Sequence, residues 1–261
     1  MPAHAEGVPC WADVLVPDLA AGKHFYGELF GWTFGESPPE FGYYTGALSD
    51  GKAVAALTPP MPDQEPQAAW TLYYASDDTD ATAERIRAHG GELLMEPMDV
   101  AEFGRMCLAR DPGGAVFGVW QARSHTGFDK EGEPGAYTWS EVNTRDAAAV
   151  DAFYPAVFPS MRSRPVPDAS VDLMAWEVDG APVAARCLMT DDWPASVPAH
   201  IAVYFAVDDC DAALDTVTRL GGQVHFGPLD SPYGRFAGVA DQQGAAFSVI
   251  DLSKRVGEPP L

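Results

Sequence analysis

Residues 11–18, Trp-Ala-Asp-Val-Leu-Val-Pro-Asp, and residues 139–146, Trp-Ser-Glu-Val-Asn-Thr-Arg-Asp, are two versions of one segment that decides the fold. Each is followed by a Phe-Tyr pair that begins at Phe25 or at Phe153, and the offset between the copies is 128 residues throughout. Alternating apolar and polar residues, a turn at the Asp and the following aromatic pair predict a strand, a turn and a helix. A whole pattern that recurs at a fixed offset indicates an internal duplication.

The rest of the chain repeats in the same order, with offsets that stay between 128 and 131 residues. A Gly-Gly pair ends the next predicted helix in both copies. An Asp-x-x-Gly turn, which begins at Asp111 or Asp241, precedes the last strand of each copy. The sequence between these marks predicts about two βαβββ units per copy.

The duplication predicts two modules of about 120 residues each, an ordinary size for a domain. A polar segment with several glycines separates them and predicts a linker. Proline-rich stretches at 59–66 and 191–198 predict connectors without regular structure. The predicted divisions are an N-terminal tail at 1–8, module 1 at 9–121, a linker at 122–135, module 2 at 136–252 and a C-terminal tail at 253–261.

The composition limits the kinds of partner. A formal net charge of −22 disfavours nucleic acid and anionic membranes, because phosphate binding needs Lys and Arg. The sequence has no apolar run long enough to predict a membrane span, and its first residues lack the pattern of a signal peptide. Four scattered cysteines without CxxC spacing predict free thiols in a reducing compartment. We therefore expect a cytoplasmic monomer or homodimer whose partner is a small-molecule ligand.

These motifs together resemble those of a known family. Two βαβββ units per module, a Val-Pro-Asp or Thr-Arg-Asp turn before a Phe-Tyr helix, and the Asp-x-x-Gly turn resemble the vicinal oxygen chelate superfamily, the glyoxalase and bleomycin-resistance fold. The Trp-x-Asp and Trp-x-Glu openings are similar to its actinobacterial two-module branch, often labelled glyoxalase-like or hydroxylase. The resemblance implies an α+β fold of tandem βαβββ units, four in total, that form two paired modules with curved mixed sheets around clefts. The units are expected at about 9–58, 69–121, 138–190 and 199–252.

The resemblance also implies where a metal ion is held in such proteins. Metal-dependent members place His or Glu on the first and fourth strands of one unit and on the first and last strands of the next, so that all four point into one cleft. The aligned residues here are Trp11, Ala56, Thr71 and Gly118 in module 1, and Trp139, Ala185, Ala202 and Ser248 in module 2. None is an ordinary metal ligand, and no nucleotide-binding or hydrolase motif is present in the sequence. We therefore predict no metal and no other cofactor.

What remains in the predicted clefts is an aromatic lining with few polar groups, which suits a flat organic molecule. Asp13 and Glu141 are the predicted catalytic residues, because a carboxylate in an apolar strand is costly unless it is paired or used. The alternative is a structural carboxylate satisfied by backbone N–H groups or by Arg105 or Arg235, which are themselves either ligand-binding or in ion pairs. The predicted ligand-binding residues are Trp11, Thr71, Tyr73, Trp120, Trp139, Asn143, His200, Tyr204, Ser248, Arg105 and Arg235.

Three functions fit this lining. The first is a metal-independent binding or accessory protein for an aromatic, antibiotic-like or polyketide-like molecule. The second is a metal-free isomerase, cyclase or dehydratase that uses Asp13 or Glu141 as the base and Tyr73, Tyr204 or His200 as the donor. The third, a glyoxalase I or an extradiol dioxygenase, is disfavoured by the side chains at the metal positions. Because the two linings differ, we expect one dominant cleft, and the larger number of polar groups favours module 2.

Overall fold

The computed structural model describes residues 4–60, 67–167 and 171–258. Most of the predicted connector at 59–66 and the outer parts of both tails lie outside the described residues. The helices are α1 (Leu19–Phe30), α2 (Thr79–Ala88), α3 (Ala147–Val157) and α4 (Cys210–Arg219), with a short 3-10 turn at Pro39–Phe41. The strands of module 1 are β1 (Pro9–Leu15), β2 (Thr33–Phe34), β3 (Thr45–Ser49), β4 (Lys52–Thr58), β5 (Ala69–Ala75), β6 (Glu92–Val100), β7 (Gly104–Arg110) and β8 (Val116–Ala122). Those of module 2 are β9 (Tyr137–Thr144), β10 (Arg162–Pro165), β11 (Leu173–Val178), β12 (Ala181–Leu188), β13 (His200–Ala206), β14 (Gln223–Ser231), β15 (Gly234–Ala240) and β16 (Ala246–Asp251).

Each module forms one eight-stranded mixed sheet. The strand order is β2-β3-β4-β1-β5-β8-β7-β6 in module 1 and β10-β11-β12-β9-β13-β16-β15-β14 in module 2. In each module, the first strands of the two units lie next to each other at the centre of the sheet and are antiparallel. Each of these two strands has the last strand of its own unit on its other side, in parallel orientation. The two orders are identical position by position. The predicted α+β fold of tandem βαβββ units in two paired modules is therefore confirmed.

The aspartate that ends each opening strand also begins the following helix. Asp18 and Asp146 each accept a hydrogen bond from the backbone N–H three residues later, at 3.0 and 3.1 Å. Asp78 and Asp209 cap α2 and α4 in the same way. A capping carboxylate satisfies a free N–H group of the first turn and lies at the positive end of the helix dipole. The repeated Asp of the sequence pattern is thus a helix N-cap.

The two modules share one hydrophobic core. Helix α1 packs against α4, α2 packs against α3, and the central strands β5 and β13 contact each other. Phe30 and Trp32 of module 1 lie 5.3 and 5.6 Å from the ring of Phe205 in module 2, and Tyr74 lies 5.7 Å from Tyr154. Because the helix-bearing faces meet, the opposite face of each sheet points away from the interface.

Two reciprocal hydrogen bonds cross the interface. The Tyr26 hydroxyl donates to Asp241 Oδ2 at 2.9 Å, and the Tyr154 hydroxyl donates to Asp111 Oδ2 at 3.1 Å. Oδ1 of each aspartate accepts backbone N–H groups of its own Asp-x-x-Gly turn. Both carboxyl groups are buried, where a hydrogen bond left unmade is costly. The Phe-Tyr pair and the Asp-x-x-Gly turn, separate motifs in the sequence, are therefore two halves of one contact.

Aromatic residues of both modules form part of this core. Trp32, Phe117 and Phe247 are buried, and Phe30 packs against the same cluster while partly exposed. The four cysteines are unpaired and buried, as their spacing predicts. Among the described residues, no helix is both long and apolar enough to cross a membrane.

Two strands differ in length from their neighbours. Strand β6 runs from Glu92 to Val100, because its pairing with β7 persists through two register shifts. Strand β2 is only Thr33–Phe34, and two residues are too few to show a periodic pattern in the sequence.

Candidate functional site

The two predicted catalytic carboxyl groups occupy equivalent positions at the centre of their sheets. Asp13 on β1 lies level with Ala56 on β4 and with Thr71 on β5. The counterparts in module 2 are Glu141, Ala185 and Ala202. Residues that pair across strands point to the same face of a sheet. The 128-residue offset therefore corresponds to a structural equivalence of the two clefts.

In module 1, Asp13 is buried within a network of aromatic side chains. The hydroxyls of Tyr73 and Tyr44 both donate to Asp13 Oδ2, at 3.0 and 3.2 Å. The Trp11 indole N–H in turn donates to the Tyr44 hydroxyl at 2.7 Å. Burial raises the pKa of Asp13 to about 7, although both tyrosine hydrogen bonds act in the opposite direction. The carboxyl group is thus poised to exchange a proton near neutral pH.

Gly118 makes room for this arrangement. It lies level with Tyr73, and a Cβ atom at this glycine would be 2.1 Å from the Tyr73 ring. The ring of Tyr73 therefore lies directly over the glycine backbone. A larger residue would displace the ring whose hydroxyl reaches Asp13.

Residues of the predicted linker pack onto the same cleft. The His125 ring lies 4.3 Å from the ring of Trp11 and 5.5 Å from that of Trp120, whose indole N–H donates to the His125 carbonyl oxygen at 3.0 Å. The Phe128 ring lies 5.5 Å from Trp11. Trp11 and Trp120 are consequently buried despite lying on the cleft face.

Phe41 links the two outer parts of the module 1 sheet, those that contain β3 and β7. Its ring, in the 3-10 turn before β3, lies 5.5 Å from the ring of Phe103, which precedes β7. Tyr44 follows in the same segment. Aromatic side chains of this chain therefore contact one another along the module 1 cleft.

Sequence reasoning missed Tyr44, His125 and Phe128 as residues of this site. All three lie outside the strands that carry the repeat, so no alternating pattern marks them. The signal present was composition: Tyr44 belongs to a Tyr-Tyr-Thr segment that the sequence indicates as a strand, and His125 and Phe128 are aromatic residues within the predicted linker.

In module 2 the corresponding site is more open. The Tyr204 hydroxyl donates to Glu141 Oε2 at 2.9 Å, and Ser248 lies level with Tyr204 on β16. Glu141 and Trp139 are only half-buried, whereas Asp13 and Trp11 are buried. Burial of the carboxyl group raises the pKa of Glu141, and hydrogen bonding by Tyr204 and Trp139 works against this.

A second polar pair lies one step along the same face of module 2. His200 Nδ1–H donates to the Pro198 carbonyl oxygen at 2.9 Å, which leaves Nε2 as the acceptor for the Asn143 amide at 3.3 Å. Burial lowers the pKa of His200, which favours this neutral form. The ring lies 6.1 Å from that of Trp193. The structure therefore brings the predicted module 2 residues together on one face of their sheet: Trp139, Glu141, Asn143, His200, Tyr204 and Ser248. It brings the predicted module 1 residues together on the equivalent face of the other sheet: Trp11, Asp13, Thr71, Tyr73 and Trp120.

The structure does not bring Arg105 and Arg235 into the clefts. Arg105 donates to Asp80, in the first turn of α2, and to Asp99, at 2.8 and 3.1 Å. Arg235 makes the equivalent pairs with Asp211 at 3.1 Å and Asp230 at 2.8 Å. Both guanidinium groups lie on the helix side of their sheets, so neither neutralises Asp13 or Glu141.

A cavity of about 550 Å³ lies elsewhere, at the junction of the modules. It is lined by residues that include Phe30, Asp50, Lys130 and Asp208, and by none of the predicted site residues. The buried Lys130 ammonium is satisfied there by Ser49, Asp50 and a backbone carbonyl. The Lys130 ammonium therefore has its partners within the chain, and this cavity is separate from the two carboxyl sites.

Sequence comparison agrees with the architecture. Residues 7–119 match the family model described as the Glyoxalase/Bleomycin resistance protein/Dioxygenase superfamily. The chain is 40% identical to the Anthracycline biosynthesis protein DnrV of Streptomyces peucetius, over 99% of this chain and 98% of that protein. It is also 40% identical to the Anthracycline biosynthesis protein DauV of Streptomyces sp. strain C5, over 97% and 96%. The chain belongs to this glyoxalase superfamily.

Solved structures of the glyoxalase superfamily have the same fold at much lower identity. The Mn(II)-bound glyoxalase from Novosphingobium aromaticivorans superposes with a TM-score of 0.64 at 15% identity, over 97% of this chain and 87% of that chain. The 2,3-dioxygenase LapB from Pseudomonas sp. KL28 gives 0.63 at 15% identity, over 95% and 93%. At this identity the likeness concerns the fold alone.

The donor set of this glyoxalase-superfamily chain does not fit a metal centre. The strand register pairs Asp13 with Ala56 and Thr71, whereas the sequence alignment predicts Trp11 at this position. Asp13 is the only carboxylate among these three residues. Gly118 on β8, the fourth aligned position, has no side chain. Within the described parts of the chain, no three His, Cys, Asp or Glu side chains are grouped so that they could hold a metal ion. A zinc site in a protein is built from three or four such ligands.

Proposed function

We propose that this protein binds a flat aromatic, polyketide-like molecule in the module 2 cleft, without a metal ion, as a binding or accessory protein of secondary metabolism. The observation that carries the proposal is that Trp139 and Glu141 are partly exposed, whereas Trp11 and Asp13 are buried, with oriented polar groups on either side. An indole face supplies stacking area, while a few fixed donors and acceptors orient the molecule.

Two further observations support this assignment. The hydrogen bonds of Glu141 and of the Asn143–His200 pair fix these side chains before any ligand arrives, which lowers the entropic cost of binding. The relatives DnrV and DauV, which match over almost their whole length, are named for anthracycline biosynthesis. That naming favours a role in the biosynthesis of a natural product.

The experiment that tests the proposal begins with native mass spectrometry of the protein after exposure to a library of planar aromatic compounds. A compound that binds is then titrated against Glu141→Gln and Tyr204→Phe. Tyr204→Phe removes the hydroxyl that donates to Glu141, and Glu141→Gln replaces one acceptor oxygen of the carboxyl group by an NH2 donor. Each change is expected to weaken binding by about 1–3 kcal/mol.

Asp13→Asn and Tyr73→Phe are the matched controls, and they should weaken binding less. Equal losses in the two modules would mean two equivalent sites. Losses confined to the module 1 variants would place the site in module 1 and refute the assignment to module 2.

A second function is favoured by one specific observation. Asp13 combines a pKa near 7 with two phenol hydroxyls within hydrogen-bond distance, a combination suited to general acid–base catalysis by a metal-free isomerase, cyclase or dehydratase. In that case a bound compound is converted, and Asp13→Asn removes the conversion while binding persists. A compound that is recovered unchanged after long incubation would count against catalysis.

A further inference from the structure

An aromatic ring of the outermost strand lies on the cleft face of module 2. Gly238 on β15 is level with Ser248 on β16, which is level with Tyr204 on β13, so all three belong to one cleft-facing row. A Cβ atom at Gly238 would be 2.1 Å from the ring of Phe226, which is level with it on β14. The Phe226 ring therefore covers the glycine, and 41% of this residue stays exposed at the border of the cleft.

A register shift brings a second apolar side chain of β14 onto the same face. Leu229 follows Phe226 by three residues, a spacing that would place the two on opposite faces of a regular strand. The shift between them puts Leu229 level with Phe236, so that both point into the cleft. The ring of Phe236 lies 6.1 Å from that of Phe226 and 6.2 Å from that of Tyr204. Aromatic side chains thus continue from Tyr204 to the outermost strand.

Module 1 offers no ring at these positions. Its outer strands pair in the same register, with shifts at the same places, so Met95 corresponds to Phe226 and Leu108 to Gly238. The module 1 counterparts are all aliphatic or thioether side chains: Met95, Met98, Met106 and Leu108. The outer wall of the module 2 cleft therefore presents an exposed ring, and that of module 1 does not.

The distance between the two ends of this row bears on the size of a ligand. Trp139, Tyr204, Ser248 and Gly238 lie level with one another on consecutive strands. Three steps of about 4.8 Å between neighbouring strands separate the partly exposed Trp139 from Gly238, a span of roughly 14 Å along the sheet. A single ring covers only part of such a row, whereas several fused rings extend across it.

We infer that Phe226 is the residue on which the far end of the ligand stacks, and that the ligand is an elongated, fused polycyclic aromatic molecule whose polar end lies at Glu141. The inference rests on the proposed function and deepens it, because it names the shape of the ligand and a residue that distinguishes long ligands from short ones. Stacking between rings stabilises the complex beyond the burial of apolar area. The glycine beneath Phe226 holds the ring against the sheet before any ligand arrives.

Two hydroxyquinones with the same polar end test the stacking contact. 1-Hydroxynaphthacene-5,12-dione is 1-hydroxyanthraquinone with one more ring fused at the far end. Calorimetric titration of the full-length protein should show tighter binding of the larger compound. Phe226→Leu should remove that advantage, a loss of about three- to tenfold for the larger compound, and should affect the smaller compound less.

Three further variants separate stacking from other effects of substitution. Phe226→Tyr keeps the ring and should bind both compounds as the wild-type protein does. Gly238→Ala should cause the same selective loss as Phe226→Leu, because its Cβ displaces the ring. Met95→Leu, at the equivalent position of module 1, should leave both affinities unchanged.

The outcomes separate this inference from the proposed function. If both compounds bind and Phe226→Leu weakens them equally, or not at all, the stacking role is refuted while a binding function stands. If neither compound binds, the proposed function fails and this inference fails with it. If native mass spectrometry shows a dimer that Phe226→Leu dissociates, a second copy of the chain covers the ring, and its role as a ligand contact is refuted.

Discussion

Replacing Asp13 by asparagine should remove a specific part of the pH dependence of stability. Folding raises the pKa of this carboxyl from 3.8 to about 7 because it is buried. The folded state therefore holds its proton more tightly than the unfolded chain does. The stabilising effect of that proton is complete below the unfolded pKa and is lost as the pH rises through the folded value.

The size of the effect follows from the two pKa values. Across the whole window the wild-type protein loses about 4 kcal/mol of unfolding free energy through this one group, and about 2.5 kcal/mol of it between roughly pH 5 and pH 8. The asparagine side chain of the variant does not titrate, so the stability curve of the variant lacks this part. At the alkaline end, where wild-type Asp13 is ionised inside an apolar cleft, Asp13→Asn should be the more stable protein.

Urea unfolding at a series of pH values measures both curves. Other carboxyl groups with raised pKa, such as Asp111, titrate in both proteins, so the difference between the curves isolates Asp13. Parallel curves across this range would show that the ionised carboxylate is accommodated at no cost, and the reasoning from burial would be refuted.

Three further outcomes are expected. The purified protein should contain no stoichiometric transition metal by mass spectrometry, and EDTA should leave its melting temperature unchanged; one tightly held ion per chain would contradict the donor set. Gly118→Ala should destabilise by about 1–3 kcal/mol in urea unfolding, because its Cβ would overlap the Tyr73 ring. Gly46→Ala, on a strand glycine with open space, is the control, and equal losses would rule out that overlap as the cause. Tyr154→Phe should cost about 1–3 kcal/mol by leaving Asp111 with one donor fewer, and an unchanged midpoint would show that this inter-module bond is dispensable.

The fold was predictable because the sequence contains it twice. A single Trp-x-Asp strand is weak evidence for any one fold. Its recurrence at 139–146, followed by the same order of predicted elements, leaves few alternatives to a duplicated module. The cleft-facing carboxyls followed from alternation along β1 and β9, which is a local property of the chain. Asp13 and Glu141 therefore lie where the alternation predicts, level with their neighbours on adjacent strands.

The rest of the site depends on contacts that spacing does not encode. Tyr44 reaches Asp13 from an irregular segment, and His125 reaches Trp11 from a stretch that reads as a flexible linker. The arginines that follow Phe-Gly and Tyr-Gly point to the helix side because each is the second residue of its strand and lies one residue out of phase with the cleft-facing positions. A pattern shows which residues alternate, but only the register shows which face they belong to.

The exchange of tyrosine hydroxyls between modules has an evolutionary consequence. Tyr26 and Tyr154 each complete the hairpin turn of the opposite module, so a single module standing alone would have a tyrosine without its acceptor and an aspartate without its donor. Two copies of one ancestral module satisfy both at once by meeting about a twofold axis, which is the arrangement of an isologous homodimer. The present chain is in effect such a dimer joined by a peptide tether. Once the two halves were encoded separately, their carboxyl sites could diverge, and Asp13 now receives two phenol hydroxyls whereas Glu141 receives one.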